Sequence, residues 1–472
     1  MADRYAVLGS GPSSFAVVSA LLKSSCSIEV IDASLNATHG SLKKTKKKTV
    51  NGNNFSYISF DNDVVKNRFG SNLIQSFAAG GLSTVWGAAL HPKHFRNPEV
   101  DDFEQELANI LPITQIINSS NRSMSSCKSS KEISSLVGTI FDFPFTKYLA
   151  EGNRSSLVIH DSFVAVKNND SQCLRCSRCL SGCPENLIWN SFDSLTAYAK
   201  LARISLVTSR KCSRLIPEGK DVFIETVNKS GAIERLGPYS HVFMAVGPAE
   251  TFRILTDSEI LDQPAFLSQT ETFYMPILYS GDAKLDQSIG FPQFHLEINA
   301  KMRVWIQCSA FSNAHIDLLR NMFFPLKFFP KSLLQRMLSK CLLGIGYIDV
   351  ENSNLLKLSR LSKGVEVKTI RKRAVLLQQI RVIQTLWHFR QPLRRLSVRL
   401  LLPIVLMTKS GSGAHYGNLQ SGSENVVQIL KQRGLANLIS CVDHSSFLDL
   451  DVGPVTYTHM IGVYKYVRQN FC

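Results

Sequence analysis

The stretch from Tyr5 to Asp32 constrains the fold of this chain more than any other part of the sequence. It begins with a short apolar run, turns at Gly9 and Gly11, and continues as an apolar helical segment that ends near Lys23. A second apolar run follows, and its last residue, Asp32, lies 23 positions after Gly9. Strand, glycine turn, helix, strand and acid in this order predict a dinucleotide-binding unit of a parallel α/β sheet.

Each residue of the turn has a physical reason to face a dinucleotide. Gly9 permits the tight turn, and Gly11 lets the main chain approach a pyrophosphate, whose charge the helix N-terminus opposes. Asp32 can accept a hydrogen bond from a ribose hydroxyl. The usual third glycine is replaced by Ser14, which is small enough for close packing of helix on strand. A glycine turn in another kind of parallel sheet is the alternative interpretation.

Length and charge limit the remaining possibilities. At 472 residues, 44% of them apolar, the chain is long enough for two or three lobes. Because no apolar run reaches the roughly 18–20 residues of a membrane span and no signal peptide precedes the first strand, we expect a cytoplasmic protein. Eleven cysteines in a reducing compartment favour thiolates with a chemical role, or simple burial, over disulfides. The net charge of +16 predicts an acidic partner.

Two short segments follow the dinucleotide unit. Residues 43–48 hold five lysines without interleaved aromatic residues, which favours a solvated basic loop over a nucleic-acid site. We therefore expect no nucleic-acid partner. Further on, Gly80, Gly81 and Ser83 lie among small residues just before Trp86. Glycines and hydroxyls at this density favour a second contact with a phosphate or a ring, and a plain buried turn is the alternative.

A serine-rich segment and a cysteine run come next. Nine serines within residues 119–135 predict a surface loop or linker at a domain boundary. Beyond it, four cysteines follow the C-x2-C-x2-C-x3-C-P spacing of ferredoxin iron–sulfur sites, which is the most specific spacing in the chain. The four residues are Cys173, Cys176, Cys179 and Cys183. Structural zinc and a turn without metal are the alternatives, and Cys212 is a second, more distant candidate for the fourth ligand.

The middle of the chain predicts a return to the first sheet and then a second domain. A helix is expected over 194–201, followed by two or three strands. The segment 241–255 has the pattern of an apolar strand that ends at Gly247 and continues as a helix, which makes the dinucleotide domain discontinuous in sequence. Residues 294–298 and 303–306 alternate like strands with one buried face and predict an antiparallel sheet that roofs the active site.

A basic and apolar region lies between Asp317 and Met407. Its first part mixes aromatic and aliphatic residues with lysine and arginine, which is an interfacial pattern. The last part, 396–407, is strongly apolar but too short to span a membrane. Two interpretations stay open for the whole region: core helices with solvated basic faces, or contact with an anionic membrane surface.

The carboxyl-terminal part adds a glycine-flanked His415, an Asp443-x-Ser turn after a predicted strand, and a final helix. With the two glycine segments and the strand and helix of 245–255, this order resembles the glucose-methanol-choline (GMC) flavin oxidoreductases. The likeness covers both ends and the middle of the chain, whereas region 261–405 does not match by motif. The resemblance implies an FAD site built from eight residues. They are Gly9, Gly11, Ser14, Asp32, Gly81, Ser83, Gly247 and Asp443.

The resemblance also places His415 at the position of the catalytic base. A neutral imidazole can take the hydroxyl proton while hydride leaves the same carbon for the flavin. The family usually adds a second histidine or asparagine on the terminal segment, and this chain has Gly453 there. His444 and His459 are the candidates to replace it, although His459 lies a turn into the predicted helix, where a structural role is expected.

These observations predict an α/β protein with a discontinuous, Rossmann-like FAD domain and an antiparallel substrate domain. The expected divisions are 1–118 and 196–260 for FAD binding, 119–195 for the linker and cysteine insertion, 261–409 for substrate, and 410–472 for the catalytic end. We expect an FAD-dependent dehydrogenase of a sugar or polyol, free or lipid-linked, with an iron–sulfur cluster and an external one-electron acceptor. The alternatives are a flavin and iron–sulfur reductase of a lipid double bond, or a relative that binds flavin without turnover.

Overall fold

We describe the fold from a computed structural model of the chain. The structure describes residues 3–34, 49–50, 53–54, 65–68, 76–84, 86–90, 102–116, 157–166, 176, 179, 183, 185–201, 203–269, 271–279, 290–292, 294–299, 303–312, 315–316, 320, 324–348, 355–362, 364–370, 398–400, 406–408, 414–416, 430, 433–441 and 455–472.

The described residues form β-strands along the whole chain. The strands are β1 Arg4–Leu8, β2 Ser27–Ile31, β3 Thr49–Val50, β4 Asn53–Asn54, β5 Val65–Arg68, β6 Ala89–Leu90, β7 Ile113–Ile116, β8 Leu157–Ala165, β9 Ser205–Val207, β10 Arg210–Glu218, β11 Asp221–Asn228, β12 Ile233–Tyr239, β13 His241–Met244, β14 Ala265–Gln269, β15 Glu271–Tyr279, β16 Phe294–Asn299, β17 Arg303–Ala310, β18 Cys341–Ile348, β19 Leu355–Arg360, β20 Val365–Ile370, β21 Val398–Leu400, β22 Leu406–Thr408, β23 Ala414–Tyr416 and β24 Leu438–Ser440.

Helices connect and cover these strands. The α-helices of the described residues are α1 Pro12–Leu21, α2 Asp102–Asn109, α3 Ser191–Lys200, α4 Pro248–Asp257, α5 Lys331–Met337 and α6 Val455–Phe471. Short 3-10 helices cover Gly81–Thr84, Phe324–Phe328 and Leu338–Lys340.

A five-stranded parallel sheet carries the glycine turn. Its strand order is β24-β13-β1-β2-β9, so β1 lies between strands that come from both the early and the middle parts of the chain. The return of the middle segment to the first sheet, which the sequence predicts from its strand and helix pattern, is therefore confirmed. Strand β24 adds a carboxyl-terminal element to the same sheet, beside β13. The dinucleotide fold is consequently assembled from at least three separate stretches of sequence.

Helix α1 is buried on nearly all sides because two helices and the sheet enclose it. Its residues from Ser14 to Leu21 are all buried, and Phe15 packs edge to face on Trp189 at 5.0 Å between ring centroids. On another side, the apolar residues Met460 and Val463 of α6 join the same core. This enclosure fixes the first turn of α1, and the small Ser14 lets helix and sheet approach closely.

Helix α4 fastens a three-stranded antiparallel sheet, β10-β11-β12, to the parallel sheet. The nearly buried guanidinium of Arg253 donates to Glu250 Oε1 at 2.6 Å and to Asp257 Oδ2 at 2.7 Å on its own helix. It also donates to the carbonyl oxygens of Cys212 and Ser213 on β10. The buried charge is therefore paired and hydrogen-bonded, as a charge inside a protein has to be.

The largest sheet is antiparallel in the order β21-β15-β18-β17-β16-β8-β6, with β22 on β15 and β7 on β8 as additional strands. This confirms the predicted antiparallel sheet beside the α/β domain. A smaller five-stranded sheet, β23-β14-β19-β20-β5, adjoins it through the single residue that separates β14 from β15. Strand β8 falls inside the segment 119–195, which the sequence predicts to be a linker and insertion, and it pairs with β16 in the middle of the large sheet.

Two details of this sheet differ from the sequence prediction. The alternation in β16 and β17 predicts one buried face, yet both faces are buried. Leu296 and Ile306 join the main core on one face, while His295 and Trp305 are fully buried on the other. The apolar run 396–407 supplies β21 and β22, which pair with β15. Its apolar character therefore fits strands of a sheet with two covered faces.

Helix α3 also begins earlier than predicted. It starts at Ser191 because Asn190 caps it: the Asn190 side chain accepts a hydrogen bond from the backbone N–H of Asp193 at 3.0 Å. Asparagine is among the strongest N-cap residues. In the part of the chain that the structure describes, no helix is long and apolar enough to cross a membrane.

Candidate functional site

The glycine turn after β1 is confined by the two neighbouring strands. Gly9 has a φ of +97°, and a Cβ placed on it would lie 2.7 Å from the carbonyl oxygen of Ala245, just beyond β13. Its N–H donates to the carbonyl of Ile31 on the other side, at 2.8 Å. Only glycine fits this position, since any side chain would be both strained and in collision.

The N-terminus of α1 opens on free space. Gly11 is the N-cap residue, and as a glycine it has no side chain to cap the first turn of α1. A Cβ built on Gly11 would meet no atom of the described residues within 4 Å. No acidic residue lies in the first turn of the helix. These amide groups and the space in front of them fit an anionic group such as a pyrophosphate.

The second glycine segment lies directly against the first. A Cβ on Gly81 would be 3.4 Å from the Cα of Gly11, and the N–H of Gly80 donates to Ser10 Oγ at 2.9 Å. Both Gly80 and Gly81 have positive φ values. The structure thus brings together two glycine segments that are about seventy positions apart in the sequence. The space in front of α1 consequently has walls of bare backbone on two sides.

Hydroxyl groups join the two segments to α3. Ser191 Oγ donates to the carbonyl oxygen of Ser10 at 2.6 Å, and Ser83 Oγ donates to the carbonyl oxygen of Gly80 at 2.6 Å. The two hydroxyl oxygens lie 3.1 Å apart, and both serines are fully buried. Ser83 therefore braces the site from behind. The sequence did not predict a role for Ser10 or Ser191. A local signal exists for Ser191, because Asn190 is a typical N-cap residue and marks the helix that begins at Ser191.

Asp32 lies at the end of β2 and is 7% exposed. Its Oδ1 accepts a hydrogen bond from the backbone N–H of Ser34 at 2.7 Å. Burial raises the pKa of the Asp32 carboxyl, and hydrogen bonds from Ser34 and Ser10 lower the pKa by a smaller amount. Because Ser10 also accepts from Gly80, the carboxylate is linked to both glycine segments. An acceptor at this point fits the role predicted for it, a hydrogen bond from a ribose hydroxyl.

The substitution Asp32→Asn distinguishes the effect of the buried charge on stability from its effect on cofactor binding. A carboxyl whose pKa is higher in the folded than in the unfolded chain lowers the free energy of unfolding when it is ionised. This cost is complete above the folded pKa, decreases as pH falls through that value, and is absent below the unfolded pKa. We therefore expect the flavin-free variant to unfold at a higher temperature than the parent at neutral pH and to lose this advantage in acid. FAD affinity should fall about 10–100-fold, since a charged acceptor is lost.

Thermal unfolding at several pH values and a titration with FAD would measure both effects. Asp221→Asn, at the exposed start of β11, is the matched control and should change neither quantity. Unchanged FAD affinity in Asp32→Asn would show that this carboxylate does not contact the cofactor.

Gly247, another predicted site residue, lies at the same edge of the parallel sheet. Gly247 is the N-cap of α4, has a φ of +81°, and faces open space at its Cβ position. It follows β13, whose neighbour Ala245 touches the Gly9 turn. The N–H of Cys441 donates to the carbonyl of Met244 at 3.2 Å, which brings the chain to this edge two residues before Asp443. Asp443 itself, with His444 and Gly453, lies outside the described residues.

His415 lies on strand β23, opposite Ser268 of β14. Its backbone is therefore part of the smaller five-stranded sheet, next to the point where β14 leads into the large sheet. His459 lies in α6, one turn from its start, as the sequence predicts.

A buried polar row crosses the large sheet and was not singled out from the sequence. Its members are His295, Glu297, Trp305, Gln307 and Tyr347, all of them buried. Direct cross-strand neighbours form the row: His295 lies opposite Gln307, and Trp305 lies between Glu297 and Tyr347. The Tyr347 hydroxyl donates to Gln307 Oε1 at 3.2 Å. In the sequence these residues alternate with apolar ones, so the alternation assigns them to the solvent-facing side of the strands. Alternation alone cannot distinguish a solvated face from a face that other elements cover.

The cysteine run does not form a metal site within the described residues. Cys176, Cys179 and Cys183 are described and partly buried, whereas Cys173 lies outside the description. No group of three potential metal ligands is found in the part that the structure covers. The N–H of Leu187 donates to Cys183 Sγ at 3.5 Å. The more distant candidate Cys212 is buried in a different core, and burial raises its pKa to about 12, which disfavours a metal-binding thiolate.

Comparison with solved structures gives one consistent result. A pyridoxine 4-oxidase from Mesorbium loti matches over 100% of this chain and 99% of its own, with a TM-score of 0.56 and 12% identity. A formate oxidase from Aspergillus oryzae has the same coverage, with a TM-score of 0.57 and 11% identity. An FAD-dependent oxidoreductase from Chaetomium thermophilum matches over 99% and 98%, with a TM-score of 0.51 and 12% identity.

No protein-family model and no curated protein sequence matches the chain. The structural likeness therefore establishes the architecture, and it extends from one end of the chain to the other. This chain has the fold of the GMC-type flavin oxidoreductases.

Proposed function

We propose that the chain is an FAD-dependent oxidoreductase that oxidises a CH–OH group of a sugar or other polyol. The observation that carries the proposal is the convergence of Gly11, Gly81 and the Asp32 network around the uncapped start of α1. The neighbouring structures support the flavin, since the formate oxidase and the oxidoreductase from Chaetomium thermophilum are FAD proteins. When bound, FAD accepts a hydride from the substrate carbon.

Different residues of the chain would bind different parts of FAD. The N–H groups at the start of α1 would oppose the pyrophosphate charge, and the bare backbone of Gly11 and Gly81 lets it approach. Asp32 would accept from the ribose. Gly9 sets the turn, while Ser14 and Ser83 support it from within the protein. Gly247, at the same edge of the sheet, would complete the contacts together with Asp443, which the resemblance to the GMC oxidoreductases assigns to FAD.

Proton transfer is proposed for His415. A carbon can release hydride only as its hydroxyl loses a proton, and neutral imidazole is a suitable base near neutral pH. The strand that carries His415 adjoins the antiparallel domain, where the sequence predicts the roof of the active site. Gly453 occupies the position of the second polar residue in the GMC pattern. His415 would therefore act without the usual partner.

Anaerobic reduction of the bound flavin tests this function. The FAD-loaded chain should be bleached by one or a few members of a panel of sugars, sugar alcohols and nucleotide sugars, and product analysis should show a new carbonyl group. Bleaching by none of them, together with reduction of a lipid double bond by the chemically reduced enzyme, would favour the reductase alternative. A chain that binds FAD and performs neither reaction would be the relative without turnover.

The cysteine spacing supports a second proposal about electron flow. Cys173, Cys176, Cys179 and Cys183 would hold an iron–sulfur cluster that serves an external one-electron acceptor. The N–H of Leu187 that points at Cys183 is the kind of hydrogen bond that tunes a cluster ligand.

Iron analysis and electron paramagnetic resonance of anaerobically purified protein would test this second proposal. We expect iron and acid-labile sulfide in the parent, a signal after dithionite, and loss of both in Cys176→Ser. Cys341→Ser, at a buried cysteine of the antiparallel domain, should keep them. Protein with full FAD but no iron would leave the cysteines as a structural turn or a zinc site.

A further inference from the structure

Exposed apolar side chains are concentrated in one short segment. Of the large apolar residues that are exposed in the described part of the chain, four lie within ten consecutive positions. They are Phe328 at 73%, Phe329 at 41%, Leu333 at 44% and Met337 at 60% exposure. We call these four residues the apolar patch. Proteins rarely place a contiguous group of large apolar residues in water without a binding role.

The local structure holds this patch outward. Phe328 ends a 3-10 helix, Pro330 precedes α5, and Leu333 and Met337 are four positions apart on that helix and so share one face. The opposite face of α5 is fixed to the large sheet, because Leu334 is buried against a cluster that includes Leu343. The segment is thus packed on one side, and the apolar patch is on the other.

The sequence segment that carries the patch has charges of one sign. Between positions 318 and 348 the sequence has no aspartate or glutamate. The basic residues of this stretch are Arg320, Lys327, Lys331, Arg336 and Lys340. Arg320 also donates to the carbonyl oxygen of Lys327 at 3.0 Å, which braces the turn that carries Phe328 and Phe329. Aromatic and aliphatic side chains in a segment whose charged residues are all basic match the interfacial region of an anionic bilayer.

We propose that the apolar patch and its basic neighbours dock this protein on an anionic membrane surface. The apolar side chains would enter the boundary between headgroups and acyl chains, and the basic side chains would lie among the lipid phosphates. A second copy of the chain fits less well. A twofold contact would bring the same basic surface of two molecules, each with a net charge of +16, face to face. The inference does not depend on the proposed redox activity.

Vesicle flotation of the full chain tests the proposal. Vesicles of pure phosphatidylcholine would be compared with vesicles of equal parts phosphatidylcholine and phosphatidylglycerol, at low and high salt. We expect binding to the anionic vesicles, little binding to the neutral ones, and weakening by salt because surface charges are screened.

Two double variants and one control identify the surface. Phe328→Ser with Met337→Ser should weaken binding at least about tenfold, since two large apolar side chains no longer enter the bilayer. Lys331→Gln with Arg336→Gln should weaken binding about thirtyfold at low salt. Ile233→Ser, which removes an equally exposed apolar residue from β12, should bind like the parent. Circular dichroism of each variant would confirm that the changes leave the fold intact.

The opposite results would overturn the proposal. Equal binding to neutral and anionic vesicles, no binding to either, or full binding by a folded Phe328→Ser and Met337→Ser variant would each exclude this surface as a lipid site. A dimer in light scattering that this variant converts to a monomer, without any vesicle binding by the parent, would assign the patch to a second copy. Flavin content and turnover are measured separately from vesicle binding. Failure of the membrane proposal can therefore be distinguished from failure of the redox proposal.

Discussion

Gly11→Ala is expected to fold and to lose stable FAD binding. Among the residues that the structure covers, the added methyl group would meet no atom within 4 Å. The backbone of Gly11 is extended, with a φ of −71° that any residue can adopt. Its cost to the protein is limited to the weaker N-cap, about 1 kcal/mol. The same methyl group would occupy the space in front of α1 that we assign to the pyrophosphate. We expect FAD affinity to fall by at least about a hundredfold.

Gly9→Ala is the informative counterpart, only two residues away. Its Cβ would collide with a backbone carbonyl at 2.7 Å, and its φ of +97° is strained for alanine. This variant should fail to fold or unfold at a clearly lower temperature, with or without FAD. Circular dichroism and an FAD titration of the two variants give opposite patterns if the account is right. A folded Gly11→Ala protein with the flavin affinity of the parent would move the cofactor away from this turn.

His415→Ala is expected to keep its FAD and to reduce it slowly. General-base catalysis contributes about 10²–10⁴-fold, so the rate of flavin reduction by a good substrate should fall by that factor. Since His415 belongs to β23, away from the parallel sheet, the dinucleotide site should be unaffected. Stopped-flow absorbance under anaerobic conditions measures the rate directly. Partial recovery of the rate at higher pH would indicate that a solvent base replaces the imidazole.

His459→Ala provides the matched control, because it removes a histidine from helix α6. We expect it to reduce flavin at the parent's rate. If His415→Ala does so instead, proton abstraction lies elsewhere, and His444 is the next residue to replace. If both variants are slow, the carboxyl-terminal helix takes part in the reaction as well.

The parts of the fold that could be predicted from sequence are those whose physical requirements are local. A strand, a positive-φ glycine and a helix N-terminus follow each other within a few residues at Gly9 and again at Gly247. A backbone with positive φ requires glycine, and a strand that leads into a helix is visible as an apolar run before that glycine. The two turns from strand to helix could therefore be located before their three-dimensional arrangement was known.

The parts that could not be predicted depend on contacts between distant segments. Ser191 supports the glycine turn from 181 positions away, and serine is too common in polar segments to signal such a contact. Strand β8 follows a serine-rich stretch, so composition concealed an element that pairs in the middle of the large sheet. The row that contains His295 and Glu297 alternates like a solvated strand face. Its burial follows only from what packs over it, which no local pattern encodes.

The visible absorbance spectrum of the purified chain, recorded before and after incubation with FAD and gel filtration, tests the central claim most directly. The account predicts a two-band flavin spectrum that stays with the protein, with one FAD released per chain on denaturation. Protein that is folded by circular dichroism but carries no flavin, and retains none after incubation with FAD, would contradict the claim that this fold is an FAD-binding oxidoreductase.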